Sequence, residues 1–390
     1  MGIEGGILEI EEIHVFPLRI PFKEAARIAS WDYPYIESAL VEVKTDGNVV
    51  GYGEAVTDPV FTGETIESMV GAIKNYLGPA VLGSNPFALR QINYKMDEVL
   101  VGNTSAKAAI GMACLDAIGK ATEQPIYNLL GGEFTSEIFA VPEIVLGPLN
   151  DVVKRCEEEV AKGVRCLKVK VGEGAKEDAE KVERIRKAVG SDIEIRLDAN
   201  QGWRNYWTAL KIIKRVESYD VSLIEQPLPA HDLRGSAMLR KAMSIPLMLD
   251  ESVHNVDDAL AALRLEACDI ISVKIMKAGG LLQTKELVDL CLTHGMPCHM
   301  GTSWETEVGW AAILHLITAL PGIQLWDAYP PAEIYWGATA SIATPIKSLL
   351  KKGVRVVKVP DGPGLGITIN DDAVTRHLIS KPVSIKGKHN

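Results

Sequence analysis

The chain has 390 residues, 47% of them hydrophobic and 24% charged, with a formal net charge of -10 at pH 7. That length accommodates one large domain and a smaller companion. Acids and bases are mixed along it, which argues against a nucleic-acid binder, because phosphate contacts need a basic patch, and no run of 18 apolar residues offers a membrane span.

The opening stretch, MGIEGGILEIEEI, lacks the basic and apolar regions of a signal peptide. Cys114, Cys156, Cys166, Cys268, Cys291 and Cys298 form no CxxC or other zinc-ligand spacing. They are read as reduced, buried thiols of a cytoplasmic protein. From about Ile7 to Val56 the pattern is β-rich. The alternation over Ala39–Lys44, the turn residues Thr45, Asp46 and Gly47, and the run Gly51–Glu54 predict antiparallel strands. From Thr65 to Ala121 the pattern is helical and alanine-rich, and it ends in the double glycine of PIYNLLGG, Pro125 to Gly132.

A different rhythm begins near Val141. Short apolar runs cover Pro142–Leu146, Cys166–Val171, Ile193–Asp198, Ser222–Glu225, Pro246–Asp250, Ile270–Lys274, Pro297–Met300 and Ile323–Leu325, with helical stretches such as Glu177–Val189 between them. Eight strand–helix repeats predict a (β/α)8 barrel of the α/β class. An open doubly wound sheet is the competing reading, but no glycine-rich dinucleotide turn follows any strand. The expected organisation is an α+β capping domain over residues 1–132, a barrel over 133–345, and a tail over 346–390 returning to the cap. That tail carries a β-like segment, Val354–Val359.

The strand ends carry the chemistry. The second strand ends in Lys168-Val169-Lys170, the third in Asp198, the fourth in Glu225, the fifth in Asp250 and the sixth in Lys274. In a barrel, these ends converge on one mouth. A single Asp at a strand end is an ordinary helix N-cap. Three carboxylates on successive strands, flanked by lysines, instead call for a cation, and an all-oxygen set selects Mg²⁺. With no histidine in the set, zinc is disfavoured. Lys168 and Lys170 lie two apart and share a strand face. A neighbouring ammonium and partial burial are expected to lower the pKa of Lys170 toward that of a general base.

These residues carry a resemblance. The stretches Lys168–Lys170, Leu197–Gln201, Ile224–Pro227, Leu249–Ser252 and Val273–Gly280 resemble the enolase superfamily in its muconate-lactonizing subgroup, over nearly the whole chain. The resemblance implies that Asp198, Glu225 and Asp250 hold Mg²⁺, and that Lys170 and Lys274 act as acid and base on opposite faces of a small carboxylate substrate. Racemisation or epimerisation of an amino acid derivative is the expected reaction. The derivative is expected to be N-substituted, proline-like or betaine-like, or a dipeptide; muconate-type cycloisomerisation, elimination from a hydroxyproline-like acid and formation of o-succinylbenzoate are the alternatives. A homo-oligomer is expected. His299 need not act as a base, because Lys274 occupies the sixth strand end, and Lys277 is read as structural. Substrate contacts are expected from the loop near Phe22 to Tyr35 and from Trp304, Glu305, Trp326, Asp327 and Tyr329. The aromatics and Asp327 are expected to surround a cationic, proline-like or betaine-like nitrogen, or else to pack between barrel and cap.

Overall fold

The computed structural model describes residues 8–29, 31–327, 329–334 and 340–387. The first seven residues of the opening stretch lie outside the described residues. Strands β1 (Ile10–Arg27), β2 (Asp32–Thr45) and β3 (Val50–Val56) form an antiparallel sheet. Alternation along β2 turns Val41 and Val43 to the same side as Ile13 and Val15 of β1. There they pack on Ala109, Ile110 and Ala113 of the helix Thr104–Ala121.

A two-residue strand, β4 (Ile138–Phe139), precedes eight parallel strands: β5 (Glu143–Ile144), β6 (Cys166–Lys170), β7 (Glu194–Asp198), β8 (Val221–Glu225), β9 (Leu247–Leu249), β10 (Ile270–Val273), β11 (Cys298–Met300) and β12 (Ile323–Trp326). They lie side by side in chain order from β5 to β12. All eight predicted apolar runs therefore form the expected strands, and helices return between them as βαβ connections require. The sheet is strongly curled. Lys168 on β6 reaches Asp327, just past β12, at 2.8 Å. Trp326 Nε1 donates to the Phe139 carbonyl at 2.9 Å. Among the described residues no ladder of hydrogen bonds joins β12 to β5.

Strands β13 (Ser348–Lys351) and β14 (Val354–Val357) form a hairpin through Lys352 and Gly353, whose φ values of 51° and 78° suit a two-residue primed turn. The hairpin pairs with β4 in a separate three-stranded sheet. The segment that does reach the first sheet is β15 (Val383–Lys386), antiparallel to β1. One face of β1 and β2, including Leu18, Ile20, Phe22, Ile36 and Leu40, joins the same buried core as the parallel strands. The cap is thus packed on the sheet through apolar side chains. Its loop after β1 is also pinned. Ala29 sits where a Cβ on Gly172 or Gly202 would stand 2.6 or 2.9 Å from the Ala29 methyl, so only glycine leaves room for it. No helix among the described residues is long and apolar enough to cross a membrane. The six cysteines are free and buried.

Candidate active site

In a parallel ladder the pairing register decides which side chains meet. Lys170 pairs with Asp198, and Asp198 with Glu225. Strand alternation then turns all of these into the curl, with Lys170, Asp198 and Glu225 one layer above Lys168, Arg196 and Leu223. Asp250 follows β9 and Lys274 follows β10, so the charged residues arrive in one cluster at the C-terminal ends. Lys168 Nζ lies 3.2 Å from Asp198 Oδ2, 2.7 Å from Glu225 Oε2 and 2.8 Å from Asp327 Oδ2. Lys170 Nζ lies 2.7 Å from Asp198 Oδ2 and 2.6 Å from Glu143 Oε1. On the far side, Lys274 Nζ lies 2.9 Å from Asp250 Oδ2. The expected metal and lysine residues are therefore all brought together, and the two lysines bracket the carboxylate set.

Lys277, read as structural, is fully buried against Asp250. Its ammonium donates to Asp250 Oδ1 and O and to the Ser272 carbonyl, at 2.7, 2.7 and 2.8 Å. Gly301 after β11 makes room for Lys274: a Cβ there would meet Lys274 Cε at 2.9 Å and Ser272 Oγ at 3.0 Å.

The set does not balance in charge. Six buried carboxylates (Glu143, Asp198, Glu225, Asp250, Glu251 and Asp327) face four buried ammonium groups (Lys168, Lys170, Lys274 and Lys277). Two negative charges would remain if all were ionised. The structure shows where they would fall. Burial, with Asp198 beside it, raises the Glu225 carboxyl well above its usual range. Burial, with Asp250 and Asp198, raises Glu251 to about 8. Both Glu225 oxygens, Glu251 Oε2 and Asn200 Oδ1 are buried without a hydrogen-bond partner; the Lys168 contact to Glu225 is an ion pair lacking hydrogen-bond alignment. Among the described residues no group of three or more acids, histidines or cysteines is spaced to hold a metal ion. Lysine ammonium groups stand between the carboxylates instead. The donor set nonetheless fits a divalent cation, which would supply the two missing charges and satisfy orphaned oxygens.

Four expectations are corrected. The pKa of Lys170 is raised: burial does lower it, and Lys168 adds to that, but Asp198 and Glu143 at hydrogen-bonding distance outweigh both. Trp326 faces out of the curl, because it alternates with Leu325 and Asp327, and its indole is spent on Phe139. Asp327 offers no open charge to a substrate cation; its oxygens are taken by Lys168 and by His299 Nε2 at 3.0 Å. Tyr329 directs its hydroxyl away, donating to Glu159 Oε2 at 2.6 Å. Trp326 is thus outside the expected cage, while the Tyr329 ring still lines one cleft with Trp304, Glu305 and Asp327.

Trp304 and Glu305 do face the mouth. They line a narrow cleft with Glu143, Thr302 and Asp327. Trp304 donates from Nε1 to Glu143 Oε2 at 3.0 Å and meets Phe22 and Tyr33 edge-on, with centroids 5.8 and 4.3 Å away. The loop expected near Phe22 to Tyr35 thus touches the site. Glu305 accepts from the Ser303 N–H at 2.7 Å, leaves Oε1 without a hydrogen bond, and is raised by burial to about 7. His299 lies buried beneath Asp327, bonded also to Ser272.

Five residues escaped the sequence reading. Glu143 is a charged residue in the first apolar strand, the same signal that found Asp198 and Glu225. Asn200 and Glu251 lie within motif stretches already singled out. Asp58 and Phe61 belong to the cap and carried no signal. Tyr33 donates to Asp58 Oδ1 at 3.1 Å, and the Lys274 ammonium sits 4.1 Å over the Phe61 ring.

Parallel strands that deliver carboxylates between two opposed lysines define a class of proteins that stabilise an enolate beside a carboxylate. The comparisons agree with that class. A family described as Enolase C-terminal domain-like matches residues 151–373, and one described as Mandelate racemase / muconate lactonizing enzyme, N-terminal domain matches residues 14–131. The chain belongs to the mandelate racemase/muconate lactonizing enzyme family of the enolase superfamily. It is 32% identical over 367 residues to an N-succinyl-L-Arg/Lys racemase of Bacillus cereus, covering 94% of this chain and 97% of that protein. The crystal structure of the N-succinyl Arg/Lys racemase from Bacillus cereus superposes with a TM-score of 0.91 at 31% identity, over 97% of this chain and 100% of that one. A dipeptide epimerase from Enterococcus faecalis, crystallised with Mg and the dipeptide L-Leu-L-Tyr, gives 0.86 at 32% identity, over 92% and 99%.

Proposed function

We propose that this protein is a magnesium-dependent racemase or epimerase that removes and returns the proton on the carbon next to a carboxylate. The observation that carries this reading is the bracketing of the carboxylate set by two buried lysines, Lys170 against Asp198 and Lys274 against Asp250. One lysine per side suits inversion: the first takes the proton, and the second returns one to the opposite face. Asp198, Glu225 and Asp250 would hold the cation. When bound, Mg²⁺ supplies a Lewis acid for the substrate carboxylate. Glu305, with a carboxyl near neutrality in pKa and an oxygen to spare, can present a proton to the same developing charge. The curled sheet is inferred to work as a closed barrel whose mouth the cap covers, which excludes water from the enolate. Six free, buried thiols fit a reducing cytoplasmic setting.

The substrate class is inferred from the internal pairing of Asp327 and from what the racemase and epimerase relatives are named for. Asp327 is paired internally, so a cationic or betaine-like nitrogen has no prepared seat there. N-succinyl amino acids and dipeptides, for which the relatives are named, have one chemistry in common: an α-carbon between a free carboxylate and an acylated nitrogen. An N-acylated amino acid, the carboxyl-terminal residue of a dipeptide included, is the proposed substrate.

The test is proton exchange. With Mg²⁺ in deuterium oxide, a panel of N-succinyl amino acids and dipeptides should include compounds that gain deuterium at the α-carbon and lose optical purity. A panel that stays protonated, while a muconate or hydroxyproline is consumed, would overturn the assignment.

A further inference from the structure

Glu143 is one of the buried acids to which the mechanism as described gives no role. Glu143, on β5, is 9% exposed and has Lys170 and Trp304 as its side-chain partners among the described residues. One oxygen lies 2.6 Å from Lys170 Nζ; the other accepts the Trp304 indole N–H at 3.0 Å. Trp304 is itself held in a sparsely populated backbone conformation, φ 59°, which non-glycine residues adopt only where the surroundings compel it. Those surroundings are Phe22 and Tyr33 of the cap, set edge-on against its ring. Lys170 has three ammonium hydrogens to place and two acidic partners, Asp198 and Glu143. Any cation drawn to Asp198 competes for the first of these. Glu143 is then the partner that holds the ammonium in place. Lys274 is placed by other groups: it pairs with Asp250 and lies over the Phe61 ring of the cap, and neither Glu143 nor Trp304 is among its partners in the described residues.

We propose that Glu143 is a positioning residue for Lys170, and that Trp304 clamps Glu143 and so makes the placement of Lys170 depend on how Phe22 and Tyr33 of the cap seat the indole. The proposal rests on the reading that the two lysines serve opposite substrate faces. It predicts an asymmetric enzyme, in which one direction of proton transfer is governed by the β5–cap clamp and the other is not.

Two substitutions separate the parts. Glu143→Gln keeps an acceptor for the indole and removes the charge that holds Lys170. Trp304→Phe keeps a ring against Phe22 and Tyr33 and removes the N–H that holds Glu143. The first measurement needs no substrate. In ¹⁵N-lysine-labelled protein without added metal, the ammonium resonance lost in Lys170→Met should shift or broaden in Glu143→Gln and, more weakly, in Trp304→Phe, while the resonance lost in Lys274→Met stays in place. The second uses N-succinyl-L-lysine and N-succinyl-D-lysine in deuterium oxide with Mg²⁺. The enantiomer whose exchange disappears in Lys170→Met should exchange at least tenfold more slowly in Glu143→Gln, with the other enantiomer within twofold of wild type. An unmoved Lys170 resonance, or equal disturbance of both lysines, overturns the proposal. If neither enantiomer exchanges in wild-type protein, the N-acyl reading fails for this probe, and the resonances still decide the role of Glu143.

Discussion

Glu225 occupies the least comfortable position in the molecule. It is fully buried, neither oxygen has a hydrogen bond, and its carboxyl is pushed up by burial and by Asp198. Glu225→Gln removes a charge that the cation needs and that the fold pays for, so Mg²⁺ affinity should fall by two orders of magnitude or more in calorimetric titration, and turnover with it. Thermal stability without metal should hold or rise, because the amide is cheaper to bury. Unchanged Mg²⁺ affinity would remove Glu225 from the ligand set. Gly301 allows a subtler test. Alanine there would press on Lys274 Cε at 2.9 Å. The lysine can yield, so overpacking should cost about 1–2 kcal/mol in urea unfolding. The exchange served by Lys274 should drop roughly tenfold relative to that served by Lys170; equal loss on both faces would contradict the opposed arrangement. Glu305 adds a pH dependence. Its folded pKa of about 7 lies above an ordinary glutamate value, so the folded state binds the proton more tightly, and stability falls as pH rises from about 4.5 to about 7. Glu305→Gln should flatten that decline by an amount on the order of 3 kcal/mol in metal-free protein, read from unfolding free energies across the range.

Among elements, the parallel strands were the most legible part of the chain. Each is short, apolar and bounded by turn residues, and each charged end stood out because burying a lone charge is costly. What the reading missed was direction. Period-two alternation already places Leu325 and Asp327 on one face and Trp326 on the other, so the outward tryptophan could have been deduced. The pKa of Lys170 could not, because it depends on Glu143 arriving from a strand more than twenty residues away. The pairing of β14 with β4 rather than with the cap is likewise a tertiary outcome that no local signal carries. The element that most directly joins cap and barrel is β3. Its Glu54 accepts from the N–H groups of Thr306 and Gly309 and from the Thr306 hydroxyl, capping the buried helix Glu307–Ala319. Glu54→Ala leaves those donors unsatisfied and should cost about 2–4 kcal/mol in chemical denaturation. A loss below 0.5 kcal/mol would show that the cap hardly matters to that helix.

At the scale of the whole molecule, the cap reaches the mouth with side chains from three places: Phe22, Tyr33 and the Asp58–Phe61 segment. It is held there partly by the far end of the chain, where β15 pairs with β1 from Glu12 opposite Lys386 to Val15 opposite Val383. Deleting residues 382–390 should leave the parallel strands folded and loosen the cap. Hydrogen exchange should rise along β1 while β6 to β8 stay protected, and turnover should fall more than Mg²⁺ affinity. Loss of protection across all strands at once would mean that cap and barrel unfold as one unit.

The notch around Ala29 bears on how such a protein could acquire a new substrate. The loop that carries Phe22 and Tyr33 to the mouth is fastened midway, its one methyl group lodged against two glycines of the barrel. Ile28 beside that rivet is buried in the core shared with the parallel strands. The rivet itself admits no larger side chain, since Ala29→Val would drive the loop off Gly172 and Gly202. A graft that brings in a foreign recognition loop must therefore match this barrel at position 29 before any contact it makes with a substrate can matter.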